Sequence, residues 1–178
     1  MRRAPLLVAF IALVLPACDH AGAFEDGVLR KGDVTVHVGP IPAQWRRVHV
    51  EGADLAFRDD ARAASAMFDV RCGRRDGDGP LSALTAQLLM GTTQRDFVSE
   101  EVVPFDGREA LHTTLRAKLD GVPMQYDIYV MKKDDCVYDL VYVAEPDRFT
   151  AGAPDFERFA TGLHAASPPV GAGRASDP

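Results

Sequence analysis

The sequence predicts an α+β domain, a twisted antiparallel sheet with a four-stranded meander covered by helices, on three observations. Asp106-Gly107 and Asp120-Gly121 are strong two-residue hairpin signals flanked by β-rich runs, and Asp134-Asp135 can make a third turn. Between these turns apolar and polar residues alternate with the period of two that a sheet with distinct faces requires. Two further segments, one opening at Pro80 and one at Pro154, carry apolar residues at helical spacing.

At the N-terminus, Arg2 and Arg3 precede an uncharged run from Leu6 to Leu15, and Pro16-Ala17-Cys18 follows. This is the charged, apolar, small-residue order of an export signal. A spanning helix needs about 20 apolar residues, more than this run supplies, so residues 1–17 read as a removable signal peptide and residues 18–32 as a linker. Leu15-Pro16-Ala17-Cys18 resembles the lipobox of bacterial lipoprotein precursors, although Pro16 departs from the small or aliphatic residue usual there. The resemblance implies a diacylglycerol on Cys18 and a chain tethered through it to a membrane of the bacterial cell envelope, facing the periplasm. Ala21-Gly22-Ala23 offers the alternative of ordinary cleavage and a soluble periplasmic protein.

The whole chain of 178 residues has a formal charge of −6 and a pI near 5.3. Loss of Arg2 and Arg3 with the signal leaves 18 basic against 26 acidic residues, a net −8. Such a balance argues against nucleic-acid binding, which needs clustered Lys and Arg to neutralise phosphates, and against a polybasic membrane patch. Export also simplifies the cysteines: Cys18 is acylated or discarded, which leaves Cys72 and Cys136 as an even pair in an oxidising compartment. A disulfide is the expected outcome, and two packed thiols are the alternative.

Within a single domain spanning residues 33–164, Asp33 to Val38, Arg46 to Val50, Leu55 to Arg58 and Ala64 to Cys72 read as opening strands, the first two separated by Gly39-Pro40-Ile41-Pro42. Arg74 to Gly79 reads as a loop. Pro80 then starts a helix whose Leu81, Leu84, Leu88 and Leu89 form one face, closed by Gly91. The meander follows from Asp96 to Glu145, and its two-residue turns set the register. One cross-strand row is Glu101, His112, Tyr129 and Leu140, and the next is Ser99, Thr114, Asp127 and Tyr142. Leu111, Thr113, Leu115, Ala117 and Leu119 face inward. The other face carries Tyr129, Met131, Tyr138, Leu140 and Tyr142, so it too requires cover, which a helix near Pro154 to Leu163 can supply through Phe156, Phe159 and Leu163. Residues 165–178, rich in Ala, Ser, Pro and Gly, read as a disordered tail.

The order of elements is similar to the α/β/α layout of PsbP-type proteins and of small bacterial lipoproteins that share it: early strands, the Pro80-Leu81-Ser82-Ala83-Leu84 helix, the Gly107-Arg108-Glu109-Ala110 hairpin, the meander and the Phe156-Glu157-Arg158-Phe159 helix. The resemblance implies a binding or assembly accessory rather than an enzyme, with an envelope protein as partner.

Motif searches agree with that expectation. The sequence contains no GxSxG, HExxH, P-loop or Rossmann glycine pattern, and no cofactor or metal site is expected. Asp76-Gly77-Asp78-Gly79 has the flavour of a calcium loop but lacks the further ligands such a loop needs, and reads as an acidic turn. The one row that chemistry could use is Glu101, His112 and Tyr129, because a carboxylate beside an imidazole fixes its tautomer. That row serves either as a binding face on a non-catalytic module or, in the alternative reading, as the site of a periplasmic enzyme of unfamiliar type. Met67, Met90, Met124, Met131 and Trp45 are expected in the core.

Overall fold

The computed structural model describes residues 22–73 and 79–166. Residues 1–21, which include the expected signal peptide and Cys18, residues 74–78 of the expected loop and its acidic turn, and residues 167–178 of the expected tail lie outside the described residues. In chain order the elements are β1 (Ala23–Glu25), β2 (Val28–Lys31), β3 (Val34–His37), β4 (Trp45–Val48), β5 (Leu55–Asp59), β6 (Ala64–Cys72), α1 (Leu81–Leu88), β7 (Thr92–Phe105), β8 (Arg108–Leu119), β9 (Val122–Lys133), β10 (Cys136–Ala144), α2 (Pro146–Thr161) and β11 (His164–Ala166). Seven strands form one antiparallel sheet in the order β4-β5-β6-β10-β9-β8-β7, and β1-β2-β3-β11 form a second, small sheet.

The meander is β7 to β10, and its turns are where the sequence places them. Asp106, Gly107, Asp120, Gly121, Asp134 and Asp135 all have positive φ, the conformation that both central residues of a type I′ turn require. Register follows: Glu101 pairs with His112, His112 with Tyr129 and Tyr129 with Leu140. The second row, Ser99, Thr114, Asp127 and Tyr142, is also in place. Before Ser99 the pairing slips at Phe97/Ser99 and again at Thr93/Asp96. Bulges of this kind twist an edge strand away from edge-to-edge pairing, and β7 is the sheet's edge.

Each face of the large sheet has its own core. On one face Leu84 and Leu89, at the α1 end, pack with Leu115, Tyr126, Ile128 and Val137. On the other, α2 brings Phe149, Phe156 and Phe159 onto Phe57, Phe68, Tyr138, Leu140 and Tyr142. Trp45 and Phe57 both lie within 6 Å of the Phe159 ring, at 5.5 and 5.8 Å. Tyr142 stacks on Phe156 at 5.5 Å.

Three boundaries differ from the sequence expectation. The terminal helix starts at Pro146, not near Pro154, and Pro154 sits inside it. Pro146 at the first helical position and Asp147 in the first turn are good start signals. An interior proline costs about 3 kcal/mol, but burying Phe149, Phe156 and Phe159 at about 1.5–3 kcal/mol each outweighs it. The segment read as a linker carries β1 and β2, joined by an Asp26-Gly27 turn with positive φ at both residues. The segment read as tail begins with β11, which pairs Ala165 with Val36. These strands are too short to signal themselves; they are held because Leu29, Val36 and Ala165 are buried against the α2 core. Gly39 seals this end, donating its N–H to the Phe159 carbonyl at 3.0 Å.

Candidate functional site

The Glu101, His112, Tyr129 row is assembled across β7, β8 and β9. Glu101 is exposed at the sheet edge. The carboxylate that engages His112 belongs to Asp127, whose Oδ1 lies 2.6 Å from His112 Nε2. Asp127 is the diagonal neighbour of His112, two residues from its direct partner Tyr129, a distance long polar side chains span. The imidazole lies flat on the Tyr129 ring, 4.1 Å between centroids and 5° between planes. Tyr129 is itself buried between Phe105 and Phe156, at 5.3 and 6.1 Å, and burial pushes its hydroxyl pKa up. Tyr129 is the member of the row that meets α2, through Phe156. Asp127, which the sequence places in the neighbouring row, is the partner that sequence reasoning missed.

Cys72 and Cys136 are directly paired across β6 and β10 and joined by a disulfide, with Cα atoms 4.1 Å apart. Well inside the roughly 7 Å limit for a bridge, the bond replaces the packed-thiol alternative. Trp45 and Met131 are core residues as expected, but Met90 is 74% exposed, because α1 ends before it. Among the described residues no group of three His, Cys, Asp or Glu side chains could hold a metal ion.

A concave site lies on the opposite face from the His112 row. Because α1 is only two turns long, it covers the β8 and β9 side of the sheet and leaves β6 and β10 open next to the loop 50–53. A cavity of about 250 Å³ remains there. Its walls are apolar, formed by Met67, Leu88, Tyr126, Val141 and Val143, and three exposed apolar residues, Val50, Met90 and Leu119, stand on its rim.

Its floor is charged. Alternation along β6 turns Met67, Asp69 and Arg71 to this face while Phe68 and Val70 enter the α2 core. On β10, Val137, Asp139 and Val141 do the same. Asp69 and Asp139 stand directly opposite each other, and Arg71 reaches both, with Nη1 2.8 Å from Asp69 Oδ2 and Nη2 2.5 Å from Asp139 Oδ2. Lys31 continues the network, 2.8 Å from Asp54 and 3.7 Å from Asp69. Asp139 is only 2% exposed, and burial, with a smaller push from Asp69, raises its pKa to about 6 despite Arg71. Burial and then Asp54 raise the Asp69 carboxyl as well. The Tyr126 hydroxyl is buried with no hydrogen-bond partner among the described residues, and Asp139 Oδ1 likewise. Clefts that combine apolar walls with perturbed carboxylates are where ligands bind. Only one signal for this site is written in the sequence, a carboxylate standing inside the otherwise apolar run from Cys136 to Ala144.

No protein-family model matches the chain, and no curated protein sequence matches it. Solved structures do share its fold. The cyanobacterial PsbP, CyanoP, of Synechocystis sp. PCC 6803 is similar with a TM-score of 0.57 at 15% identity, over 75% of this chain and 87% of that one. LpqN of Mycobacterium tuberculosis, a protein involved in cell envelope biogenesis, is similar with a TM-score of 0.55 at 14% identity, over 77% of this chain and 86% of its own. At such identities the likeness carries the fold alone. The chain has a PsbP-like α+β fold, with antiparallel sheets and two helices.

Proposed function

We propose that this chain is a lipid-anchored, non-catalytic binding or assembly accessory of the bacterial cell envelope, facing the periplasm, whose working surface is the cavity-bearing α1 face. The observation that carries the reading is the cavity itself: an apolar pocket over a charged floor, with Val50, Met90 and Leu119 exposed around its mouth. Exposed apolar residues gathered at one opening mark interaction sites. The Cys72–Cys136 disulfide supports an oxidising compartment. The envelope role of LpqN, a structural relative, supports the setting. For the enzymatic alternative, the His112 and Asp127 dyad has the geometry of an oriented base, whereas the cavity described above opens on the other face of the sheet.

Complementation of a deletion strain of the host tests the reading. Leu119→Glu and Met90→Glu should fail to restore function at normal protein abundance, whereas Glu101→Ala combined with His112→Gln should restore it. Function with both rim variants would remove the cavity face from the reading. Complete loss with the Glu101 and His112 variant, in a folded and abundant protein, would establish the enzymatic alternative.

A further inference from the structure

Among the described residues, acidic side chains outnumber basic ones in the network at the cavity floor. Three carboxylates, Asp54, Asp69 and Asp139, face two cations, Lys31 and Arg71, within one hydrogen-bonded and ion-paired network. Glu51 adds a further acid among the lining residues. The network among the described residues therefore holds one more carboxylate than it has cations, and its Asp69 side chain is 16% exposed. Two buried oxygens, Asp139 Oδ1 and the Tyr126 hydroxyl, lack partners among the described residues. A buried acceptor without a donor is destabilising, and a ligand that supplies N–H donors and positive charge satisfies these oxygens. An anion approaching Arg71 would also meet Asp69 and Asp139, which already engage its two terminal nitrogens. A bare metal ion does not suit the apolar walls, and no three-ligand group is present among the described residues.

We infer that the cavity binds a small organic ammonium cation with an apolar body, the charge over the Asp69, Arg71 and Asp139 floor and the body against Met67, Leu88, Val141 and Val143. This ligand class rests on the proposal that the cavity face is the working surface. Asp69 is the residue that the ammonium meets first. Asp139 holds the field beneath it, and its ionisation is shared with the groups that face it: Asp69 and Arg71 on β6, Tyr126 on β9, and the Lys31 and Asp54 pair beyond.

The test uses the full chain with its methionine methyl groups observed by NMR at neutral pH, titrated with 2-phenylethylammonium, the neutral 2-phenylethanol and the anionic phenylacetate. The ammonium should shift the Met67 and Met90 methyl signals and bind about tenfold or more tightly than the alcohol, the factor that about 1.4 kcal/mol of charge-assisted hydrogen bonding carries. Phenylacetate should not bind. Asp69→Asn should abolish the preference for the ammonium while keeping the alcohol's affinity, with the buried Met131 methyl on the opposite face unchanged as the sign of an intact fold. Equal affinities for ammonium and alcohol would overturn the cation assignment and leave the cavity as a binding site. Absence of shifts with all three compounds would overturn the assignment as well, and the rim variants then judge the cavity face separately.

Discussion

Asp69 and Asp139 face each other directly across β6 and β10, in the same register that joins Cys72 to Cys136 three residues along. Like charges placed opposite on a sheet repel, and here both are drawn from water. Arg71 bridges the two but does not offset the burial of Asp139, whose pKa rises from 3.8 to about 6.

A pH dependence follows with a definite sign. Between pH 3.8 and about 6 the folded chain keeps a proton on Asp139 that the unfolded chain has released. Stability from this group therefore falls as pH rises through that window, by on the order of 3 kcal/mol. Asp106 acts oppositely: burial alone would raise its carboxyl, but Lys133, the Ala165 N–H and His164 together hold it low, so its contribution is lost only in stronger acid. Relative to Asp139→Asn, the wild-type protein should lose stability from pH 4 to pH 7 in urea titrations. Parallel profiles would contradict an ionising, desolvated Asp139.

Removing the disulfide should be costly. The bond closes a separation of 64 residues, which in the chain-entropy account contributes about 4 kcal/mol. The double variant Cys72→Ala with Cys136→Ala should lose stability of that order in urea unfolding. A loss under about 1 kcal/mol would show that the cross-strand pairing holds this register without the bond.

The His112 row separates a packing residue from a surface one. His112→Ala strips Asp127 of its partner and Tyr129 of a stacked ring, so the expected loss is about 1–3 kcal/mol. Glu101 is exposed, and Glu101→Ala should stay within about 0.5 kcal/mol. Urea midpoints measure both; equal losses would contradict the diagonal pairing.

Gly39 is the point where β3 meets the C-terminal end of α2. A Cβ there would land on the backbone carbonyls of Arg158 and Phe159, atoms that cannot swing aside as a side chain can. Gly39→Ala should cost about 1–3 kcal/mol, the usual range for an overpacked contact. An unchanged midpoint of thermal unfolding would show that the helix end yields freely.

Lipid anchoring has a direct measurement. The wild-type protein should partition into detergent and incorporate a palmitate analogue, and Cys18→Ala should lose the label. Equal labelling of the variant would refute the anchor, and a mature N-terminus at Phe24 would establish the soluble form.

Local signals in the sequence determine the meander, its register and the cross-strand rows, because a two-residue turn leaves only one alignment of the strands on either side and residues alternate faces strictly thereafter. Asp120-Gly121 therefore specifies that His112 faces Tyr129, and the bond of Cys72 to Cys136 was expected from reading Cys18 as part of an export signal, which leaves those two as an even pair. That His112 engages its diagonal neighbour Asp127 while its ring stacks on Tyr129 depends on side-chain orientation in the folded sheet, which spacing does not encode. Likewise β1, β2 and β11 exist only because the α2 core buries Leu29, Val36 and Ala165, and α2 continues through Pro154 because three phenylalanines find partners across the sheet. The cavity belongs wholly to the tertiary structure: it is the area that a two-turn helix fails to cover on a seven-stranded sheet, and Asp69 and Asp139 share its floor because non-adjacent segments pair there.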